Sequence, residues 1–343
     1  MESLADYEFD LPGELVAEKP LESRAASRLL VVNRLARSFD DSSFIRLPEI
    51  LRSGDLLVLN NTRVFPARLF GRLDSGSAVE IFLIRELEGR RWEALARPGR
   101  RLKPGRTVLF DWSLSAVVDE KTENGNVVVS FEHAGDLYDH FDRVGRTPLP
   151  PYIKRDPESP DTDRERYQTV YASKRGAIAA PTAGLHFTPE LLDELRSRGI
   201  ELAEITLHVG YGTFEPIRTA DLAKHVVLPE SYEIGEDAAA AINLAMGQGR
   251  RVIAVGTTTT RTLEFAGNDG RVRAGRGLAD LTILPGYRFR SVNGLVTNFH
   301  LPRSSLLVLV STFAGHDLIM RGYRHAVRER YRFYSYGDCM LIE

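Results

Sequence analysis

The sequence predicts an α/β protein whose mixed-sheet main domain is interrupted by a small inserted antiparallel β-barrel. A chain of 343 residues is long for a single hydrophobic core and favours two domains or one large insertion. Between about 64 and 131, short alternating runs are separated by turn residues, whereas strands and helices alternate on either side. We therefore expect a discontinuous α/β domain over 1–62 and 146–343, with the barrel over 63–145.

The barrel prediction depends on the spacing of its strands. Breaks such as Asp-Ser-Gly-Ser, Pro-Gly and Glu-Asn-Gly-Asn recur every 8–12 residues or so, which is typical of hairpin-connected β structure. The six predicted strands are 67–73, 78–86, 92–96, 107–110, 114–118 and 127–131.

The α/β elements outside the insertion follow from apolar runs and helix-end signals. Thr188-Pro-Glu has the N-cap, first-turn proline and acid of a helix start, and Gly199 ends that helix. Glu236 and Asp237 favour the positive end of a second helix. We predict strands at 29–32, 56–60, 201–209, 252–255, 281–284 and 306–313, and helices at 238–246, 259–265 and 316–331.

Composition narrows the class of protein. The chain is 43% hydrophobic and 27% charged, with a net charge of −2, as in ordinary globular proteins. The single cysteine, Cys339, excludes an internal disulfide and a cysteine-rich zinc site. The first residues show neither the basic nor the apolar region of a signal peptide, and no apolar run approaches membrane length. We expect a cytoplasmic protein.

Two local clusters of basic residues stand out in this near-neutral chain. One is a predicted exposed turn with five cations and no acid; the other is one face of the last predicted helix. A coding bias toward arginine explains the general Arg excess, and each cluster also fits a solvated surface. Both equally fit contacts to a phosphate backbone. The cations are Arg97, Arg100, Arg101, Lys103 and Arg106 in the turn, and Arg321, Arg324 and Arg328, with His325, on the helix.

Four segments rich in Gly, Thr, His and aromatic residues adjoin predicted strands, mostly at their ends. Open α/β sheets bind their ligands at such strand ends, so we expect these segments to form a pocket. The segments are 180–188 with Thr182, Gly184 and His186; 207–216 with His208, Gly210, Tyr211, Gly212, Thr213, Phe214 and Glu215; 255–264 with Gly256, Thr257, Thr258, Thr259, Thr260 and Arg261; and 296–305 with Asn298 and His300.

Each segment also has a purely structural interpretation. The Gly-Thr-Thr-Thr-Thr turn at 256–260 suits an anion at a helix start, or merely a threonine N-cap. Gly210 and Gly212 fit either a ligand loop or a turn requiring positive φ. Each histidine taken alone is more often structural than catalytic, but their shared setting favours two of them lining one pocket.

Other chemistries lack their signatures. No His-Glu-x-x-His or Cys-x-x-Cys is present, so we expect no metal. Gly-x-Ser-x-Gly and a P-loop are also absent, which argues against a serine hydrolase and a P-loop NTPase. No Gly-x-Gly-x-x-Gly dinucleotide fingerprint is found, and Asp280 precedes its predicted strand.

Longer segments carry a family resemblance that runs nearly end to end. Together with the four pocket segments, they closely resemble the S-adenosylmethionine:tRNA ribosyltransferase-isomerases of queuosine biosynthesis. These further segments are Phe9-Asp-Leu-Pro, Ser27-Arg-Leu-Leu, Asn60-Asn-Thr-Arg-Val-Phe-Pro-Ala-Arg68, Arg166-Tyr-Gln-Thr-Val-Tyr171-Ala, Pro285-Gly-Tyr287 and Tyr331-Arg-Phe-Tyr-Ser-Tyr-Gly337-Asp338.

The resemblance implies a reaction on tRNA whose wobble base is 7-aminomethyl-7-deazaguanine. The ribosyl part of S-adenosylmethionine passes to the aminomethyl nitrogen and is rearranged, giving epoxyqueuosine-tRNA, adenine and methionine. S-adenosylmethionine is then a consumed co-substrate, and no cofactor is expected. The family fold, an α/β domain with an inserted β-barrel, agrees with the change in sequence pattern.

The implied chemistry suggests roles for the pocket residues. The sulfonium acidifies the neighbouring C5′–H, so a base is required; our hypothesis is that His186 and His208 act as base and proton shuttle, with Glu215 orienting one of them. Gly256–Thr260 would hold the methionyl carboxylate or ribose hydroxyls with Arg261 nearby, and Tyr211 or Phe214 would face the sulfonium. Asn298, His300 and Asp338 would complete the pocket, and the basic clusters would hold the tRNA backbone.

Two other functions remain open from the sequence. A tRNA methyltransferase would use the same donor and release S-adenosylhomocysteine, but the Gly-rich fingerprint is missing. A non-catalytic RNA-binding protein would use the barrel and leave the Thr/Gly/His segments unexplained. We expect a monomer, although no sequence feature decides the oligomeric state.

Overall fold

The computed structural model describes residues 3–88, 90–156, 159–214, 217, 219, 221–267 and 269–343. In chain order its strands are β1 (Arg28–Asn33), β2 (Ser38–Ser43), β3 (Leu56–Asn60), β4 (Thr62–Val64), β5 (Arg68–Leu73), β6 (Ala78–Glu86), β7 (Arg91–Arg97), β8 (Thr107–Asp111), β9 (Leu114–Lys121), β10 (Val127–His133), β11 (Gly145–Arg146), β12 (Lys174–Ala177), β13 (Glu201–Leu207), β14 (Glu230–Ile234), β15 (Val252–Val255), β16 (Gly275–Ala279), β17 (Gly294–Asn298) and β18 (Cys339–Ile342). The α-helices are α1 (Leu47–Ile50), α2 (Leu137–Val144), α3 (Asp163–Arg166), α4 (Pro189–Ser197), α5 (Glu236–Gly247), α6 (Thr257–Ala266), α7 (Ser305–Ala314) and α8 (His316–Arg328).

The chain forms two units. The α/β unit comprises Met1–Thr62, Gln168–Lys174 and Pro181–Glu343, and the barrel unit comprises Arg63–Tyr167 and Arg175–Ala180. The first boundary falls where the sequence predicted it, after residue 62. The barrel unit continues beyond the predicted end at 145, because α3 and Arg175–Ala180, which includes most of β12, belong to it.

A nine-stranded mixed sheet organises the α/β unit, in the order β16-β14-β13-β3-β15-β17-β18-β1-β2. The four central strands β13, β3, β15 and β17 are parallel. β18 runs antiparallel to β17 and parallel to β1. The carboxyl ends of the four central strands therefore share one edge with the amino ends of β18 and β1.

Both faces of this sheet are covered, which explains its continuous apolar strands. Leu56 and Val58 of β3 pack with residues of α5, α6, α7 and α8. Leu57 and Leu59 point to the opposite face and pack with residues of α4 and with Phe44. Successive strand residues point to opposite faces, so one strand contributes to both cores.

The barrel unit is closed and antiparallel. Six strands run in the order β5-β6-β7-β10-β9-β8, and β5 pairs with β8 to close the ring. Closure leaves no unpaired edge in this ring. Phe141 of α2 is fully buried against Phe65, Trp92 and Phe131. The predicted α/β fold with an inserted barrel is confirmed, and all six predicted barrel strands are present.

Two of the predicted strands were wrong. The run predicted as a strand at 306–313 is helix α7, which begins where the Ser304 side chain accepts a hydrogen bond from Leu307 N and ends before Gly315, with φ of 94°. Residues 281–284 form no strand; the edge strand of the sheet is β16, just before them. The Thr188 cap on α4 is as predicted, since its side chain accepts from Leu191 N.

Candidate active site

The predicted pocket segments of the α/β unit meet at one edge of the sheet. His208 follows β13, Asn61 and Thr62 follow β3, and Gly256 follows β15. Asn298 ends β17 and pairs with Cys339 of β18, so Asp338 lies at the same edge. Parallel strands place their carboxyl ends together, and this edge is therefore where an open α/β sheet binds a ligand.

His186 is held at this edge by two hydrogen bonds. Its Nδ1 lies 2.8 Å from Ser27 Oγ and its Nε2 lies 3.1 Å from Asn298 Nδ2. The Ser27 hydroxyl donates to Arg24 O (3.3 Å), so it accepts from Nδ1–H, and Nε2 carries the lone pair that accepts from Asn298. Burial, assisted by the charges of Arg24 and Arg332, lowers the pKa of His186 to about 3. The imidazole is neutral and both nitrogens are occupied.

One polar atom of the Asn298 side chain has no hydrogen-bond partner among the described residues. Its Nδ2 donates to His186 and also to Tyr334 O (3.1 Å). Because a carbonyl only accepts, this second bond fixes the orientation of the amide. Asn298 is 3% exposed, and its Oδ1 is buried without a hydrogen-bond partner among the described residues. A buried unsatisfied carbonyl is costly, so Oδ1 is a suitable acceptor for a ligand donor.

Gly184 brings the segment before His186 close to Tyr171. A Cβ on Gly184 would lie 2.2 Å from the Tyr171 hydroxyl and 2.7 Å from Thr169 Cγ2. Burial raises the pKa of Tyr171, so its phenol stays protonated. In the part of the chain that the structure describes, the Tyr171 hydroxyl and Thr169 Oγ1 are buried and have no partner. Thr182 lies half-buried at the start of the same segment.

His208 has a different environment. Its Nδ1 lies 2.8 Å from Thr62 Oγ1, which also lies 3.5 Å from Lys174 O. If Thr62 donates to that carbonyl, it accepts from Nδ1–H, and the lone pair is on Nε2. No described residue makes a hydrogen bond to Nε2. Burial lowers the pKa of His208 against the opposing charge of Glu233, so this imidazole is also neutral at pH 7.

The two histidines do not meet. β3 and β15 lie between the strands that carry His208 and Asn298, and a spacing of about 4.8 Å per strand separates those strand ends by roughly 14 Å. Gly256 lies between them at the end of β15, with φ of 95°. His186 and His208 therefore occupy separate positions along one edge of the sheet, and the expectation that two of the histidines line one pocket stays a prediction.

The threonines after Gly256 divide into two groups. Thr259 Oγ1 donates to Val255 O (2.7 Å) and Thr260 Oγ1 to Gly256 O (3.1 Å). Both hydroxyls donate within the helix, so their protons are not available to a ligand, and the predicted ligand role of Thr259 stays a prediction. Thr257 and Thr258 have no such bond among the described residues and line a cavity of about 20 Å³ with Gly212, Arg261 and Ser305. That volume has room for about one water molecule.

Arg261 acts as a structural brace. Its Nη1 lies 2.7 Å from Glu230 Oε2, and its other nitrogens donate to Leu281 O and Ala279 O. The Glu230 carboxylate also accepts from Gly210 N (2.9 Å). The guanidinium predicted to lie near the methionyl carboxylate is thus occupied by the protein. Glu230 therefore links Arg261 by hydrogen bonds to the loop after His208.

The structural interpretation of the two glycines in the loop after His208 was a turn that requires positive φ, and their backbone does not have it. Gly210 and Gly212 are absent from the positive-φ residues of the described chain. A Cβ on Gly210 would come no closer than 3.9 Å to another residue, whereas one on Gly212 would lie 3.1 Å from Leu228. Tyr211 is half-buried beside them. Glu215 and the side chains of Thr213 and Phe214 lie outside the described residues.

Asp338 and His300 also have structural roles. The two Asp338 oxygens accept from Arg28 N and Arg332 N, both at 2.8 Å, and burial raises its pKa. His300 is buried with Nε2 2.9 Å from Thr297 Oγ1, and burial lowers its pKa to about 3. Both were predicted to complete the substrate pocket, which stays a prediction; in the structure both Asp338 oxygens and the Nε2 of His300 bond to protein groups near Asn298.

The whole chain matches known proteins. The family model described as queuosine biosynthesis protein matches residues 4–342. The chain belongs to the queuosine biosynthesis protein family. It is 52% identical to the S-adenosylmethionine:tRNA ribosyltransferase-isomerase of Symbiobacterium thermophilum over 99% of each chain, and 51% identical to that of Syntrophotalea carbinolica, again over 99% of each.

A solved structure supports the family's fold for this chain. The crystal structure of S-adenosylmethionine tRNA ribosyltransferase from Thermotoga maritima is similar at 36% identity and a TM-score of 0.55, covering 98% of this chain and all of that one. No group of three or more His, Cys, Asp or Glu residues suited to a metal occurs among the described residues. None of the described helices is both long and apolar enough to cross a membrane.

Several residues around the candidate site were not predicted as members of it. Ser27, Thr62, Thr169 and Tyr171 come from segments quoted only for the resemblance, and Glu230 from none. Thr62 was detectable, because Asn60-Asn-Thr follows a predicted buried strand just as the chosen segments do. The contact between Ser27 and His186 joins residues far apart in the chain, and sequence spacing does not reveal such a contact.

The two basic clusters are exposed in their respective units. In the barrel unit, Arg97, Arg100, Arg101, Lys103 and Arg106 are all exposed, and none has an ion-pair partner among the described residues. In the α/β unit, part of the basic face of α8 already contacts other protein groups. Arg321 donates to Arg37 O, and Arg328 contacts His325 and Glu329. Arg324 is exposed without such a contact within the described chain.

Proposed function

We propose that this protein transfers the ribosyl part of S-adenosylmethionine to the aminomethyl group of 7-aminomethyl-7-deazaguanine at the wobble position of tRNA. Isomerisation of the ribosyl group gives epoxyqueuosine-tRNA, and adenine and methionine leave. The full-length match to the queuosine biosynthesis family carries this proposal. The neutral histidines at the strand ends support it, because the reaction needs a base beside the sulfonium.

His208 is our preferred base for the C5′ proton. Its Nε2 lone pair has no described partner, and its lowered pKa keeps it unprotonated at neutral pH. His186, whose nitrogens are both occupied, positions Asn298 instead. The free Asn298 Oδ1 would accept a hydrogen bond from the substrate, and the free phenol of Tyr171 would donate one. Glu215 remains a proposed orienting group.

S-adenosylmethionine binding is proposed along the Gly256 edge. Thr257 and Thr258 offer free hydroxyls at the start of α6, where the positive helix end attracts a carboxylate. Tyr211 or Phe214 would face the sulfonium through its aromatic ring. The molecule is consumed as a co-substrate, and we propose no resident cofactor or metal, a monomer and a cytoplasmic location.

The tRNA backbone would be held by the two basic clusters. Contacts of Arg and Lys with phosphates release counterions, so tRNA affinity should fall steeply as salt rises. The exposed, unpaired cations between Arg97 and Arg106 support this role more strongly than the partly committed face of α8.

The test is product analysis by mass spectrometry. Protein is incubated with S-adenosylmethionine and tRNA carrying 7-aminomethyl-7-deazaguanosine, and epoxyqueuosine, free adenine and methionine are expected together. A gain of one methyl with S-adenosylhomocysteine would show a methyltransferase. RNA binding without any turnover of S-adenosylmethionine would show a binding protein.

The base assignment is tested with His208→Ala and Thr62→Val. Loss of the base should lower turnover by about 10²-fold or more. Thr62→Val removes only the group that sets the His208 tautomer, and should shift the acid limb of the pH–rate profile. Near-wild-type turnover of His208→Ala would refute the assignment.

A further inference from the structure

The barrel unit carries an open groove that the proposed chemistry does not use. Its volume is about 1150 Å³, and its lining includes Phe70, Phe110, Leu109 and Trp112 together with Arg72 and Arg97. Trp112 is 94% exposed and Leu109 is 50% exposed. Large apolar side chains so open to water mark interaction surfaces when they adjoin one another.

Trp112 is presented on a rigid support. It occupies the two-residue turn between β8 and β9. The Asp111 carboxylate accepts from Ser113 N at 2.7 Å and from Ser113 Oγ at 3.0 Å, which closes the turn. Arg143 binds the same carboxylate at 3.0 Å. The indole therefore stays exposed because the turn beneath it is held, and not because the segment lacks structure.

The charge balance of the groove is positive. Its two acids are already paired: Glu80 with Arg68 at 2.7 Å, and Asp111 with Arg143. Arg97 lines the groove and opens the basic turn, whose five cations have no ion-pair partner in the described chain. Arg72 retains only a carbonyl contact, to Gly76 O. An anionic occupant would meet unpaired cations beside the exposed Trp112 ring and the half-buried rings of Phe70 and Phe110.

We propose that this groove binds an unpaired stretch of the tRNA substrate, with one base stacked on Trp112 and the adjoining phosphates on Arg97 and the basic turn. Exposed aromatic rings next to cations are how proteins bind single-stranded nucleic acid, because every base has a face to stack. A regular duplex hides those faces, so the groove prefers unpaired nucleotides. This assignment rests on the proposed function for the identity of the RNA.

Intrinsic fluorescence offers a direct test, because the chain has two tryptophans and their environments differ. Trp92 is 3% exposed and Trp112 94%. Titration with a 12-nucleotide single-stranded oligoribonucleotide should quench wild-type emission, and Trp112→Phe, which retains only Trp92, should lose that quenching. A fully paired RNA duplex with the same number of phosphates should quench weakly. Equal quenching by both RNAs, or unchanged quenching in Trp112→Phe, would overturn the proposal.

Affinity for tRNA provides the second readout. Base stacking of about 1–3 kcal/mol corresponds to a roughly 5- to 150-fold weaker Kd in Trp112→Ala. The matched control is Leu35→Ala, which removes a 98% exposed side chain of the α/β unit and should leave the Kd unchanged. Equal Kd values for Trp112→Ala and wild type would refute the stacking contact. These measurements need no S-adenosylmethionine, so they are read independently of adenine release.

Discussion

Replacing Arg261 by methionine tests whether the buried pair with Glu230 is a brace. Both side chains are 5% exposed, and the pair is joined at 2.7 Å. Methionine retains most of the apolar stem but leaves the Glu230 carboxylate buried without its cation. Removing one partner of a buried pair costs about 3–5 kcal/mol. The bonds to Leu281 O and Ala279 O are lost as well, so we expect the upper half of that range.

The assay is urea unfolding at pH 7 followed by two signals. Far-UV circular dichroism reports both units, whereas tryptophan fluorescence reports the barrel unit, since Trp92 and Trp112 both lie in it. The dichroism transition assigned to the α/β unit should move to lower urea. The fluorescence transition serves as the internal reference. A decrease of less than about 1 kcal/mol in the free energy of unfolding of the α/β unit would refute the reasoning, because only solvent-exposed ion pairs contribute so little.

The double variant Arg261→Met/Glu230→Leu separates folding from binding. Apolar replacement of a whole buried pair is often neutral or stabilising, so stability should largely return. If Arg261 is only a brace, S-adenosylmethionine affinity should return in part, limited by the lost Glu230–Gly210 bond. Restored stability with abolished S-adenosylmethionine binding, and with normal binding in Glu230→Gln, would instead make Arg261 a ligand residue.

Three further outcomes are expected. Burial lowers the pKa of both His186 and His300 to about 3, so the unfolded chain binds protons below about pH 6.5 while the folded chain does not. Stability should then fall with pH between about 6.5 and 3, by about 2 kcal/mol per histidine at pH 5; unfolding curves at pH 7 and 5 check this, and an equal fall in His300→Gln would contradict it. Gly184→Ala should cost about 1–3 kcal/mol in thermal unfolding through its clash with the Tyr171 hydroxyl, whereas an equal cost for Gly247→Ala, where the space is open, would exclude that cause. Arg324→Glu should reduce the salt slope of tRNA binding by about one; an unchanged slope would remove α8 from the tRNA contact.

Local patterns were sufficient for the barrel and for most of the sheet. All six barrel strands follow from alternation and turn residues, because a half-buried strand shows its period of two directly in the sequence. β3 and β15 were predicted with their observed bounds. The cap of α4 was likewise local, since Thr188 and Leu191 are three residues apart.

The error at α7 shows where local patterns fail. Ten apolar or small residues in succession have no polar side to reveal a period of 3.6, so strand and helix look alike. The length of the run, Ser304 before it and Gly315 after it favoured the helix that the structure contains. Giving these end signals more weight than hydrophobicity would have corrected the prediction.

The sequence by itself determined the fold class and the family, and it predicted the edge of the sheet at which the candidate site lies. Only the tertiary structure decided which polar atoms are free: Arg261, Asp338 and Thr259 are used by the protein, whereas Asn298 Oδ1 has no described partner. The physical reason is geometric. A hydrogen bond between distant segments forms only if the donor and acceptor atoms are placed to within a few tenths of an ångström of the right separation. Residue type and order carry no record of those distances until the strands are packed together.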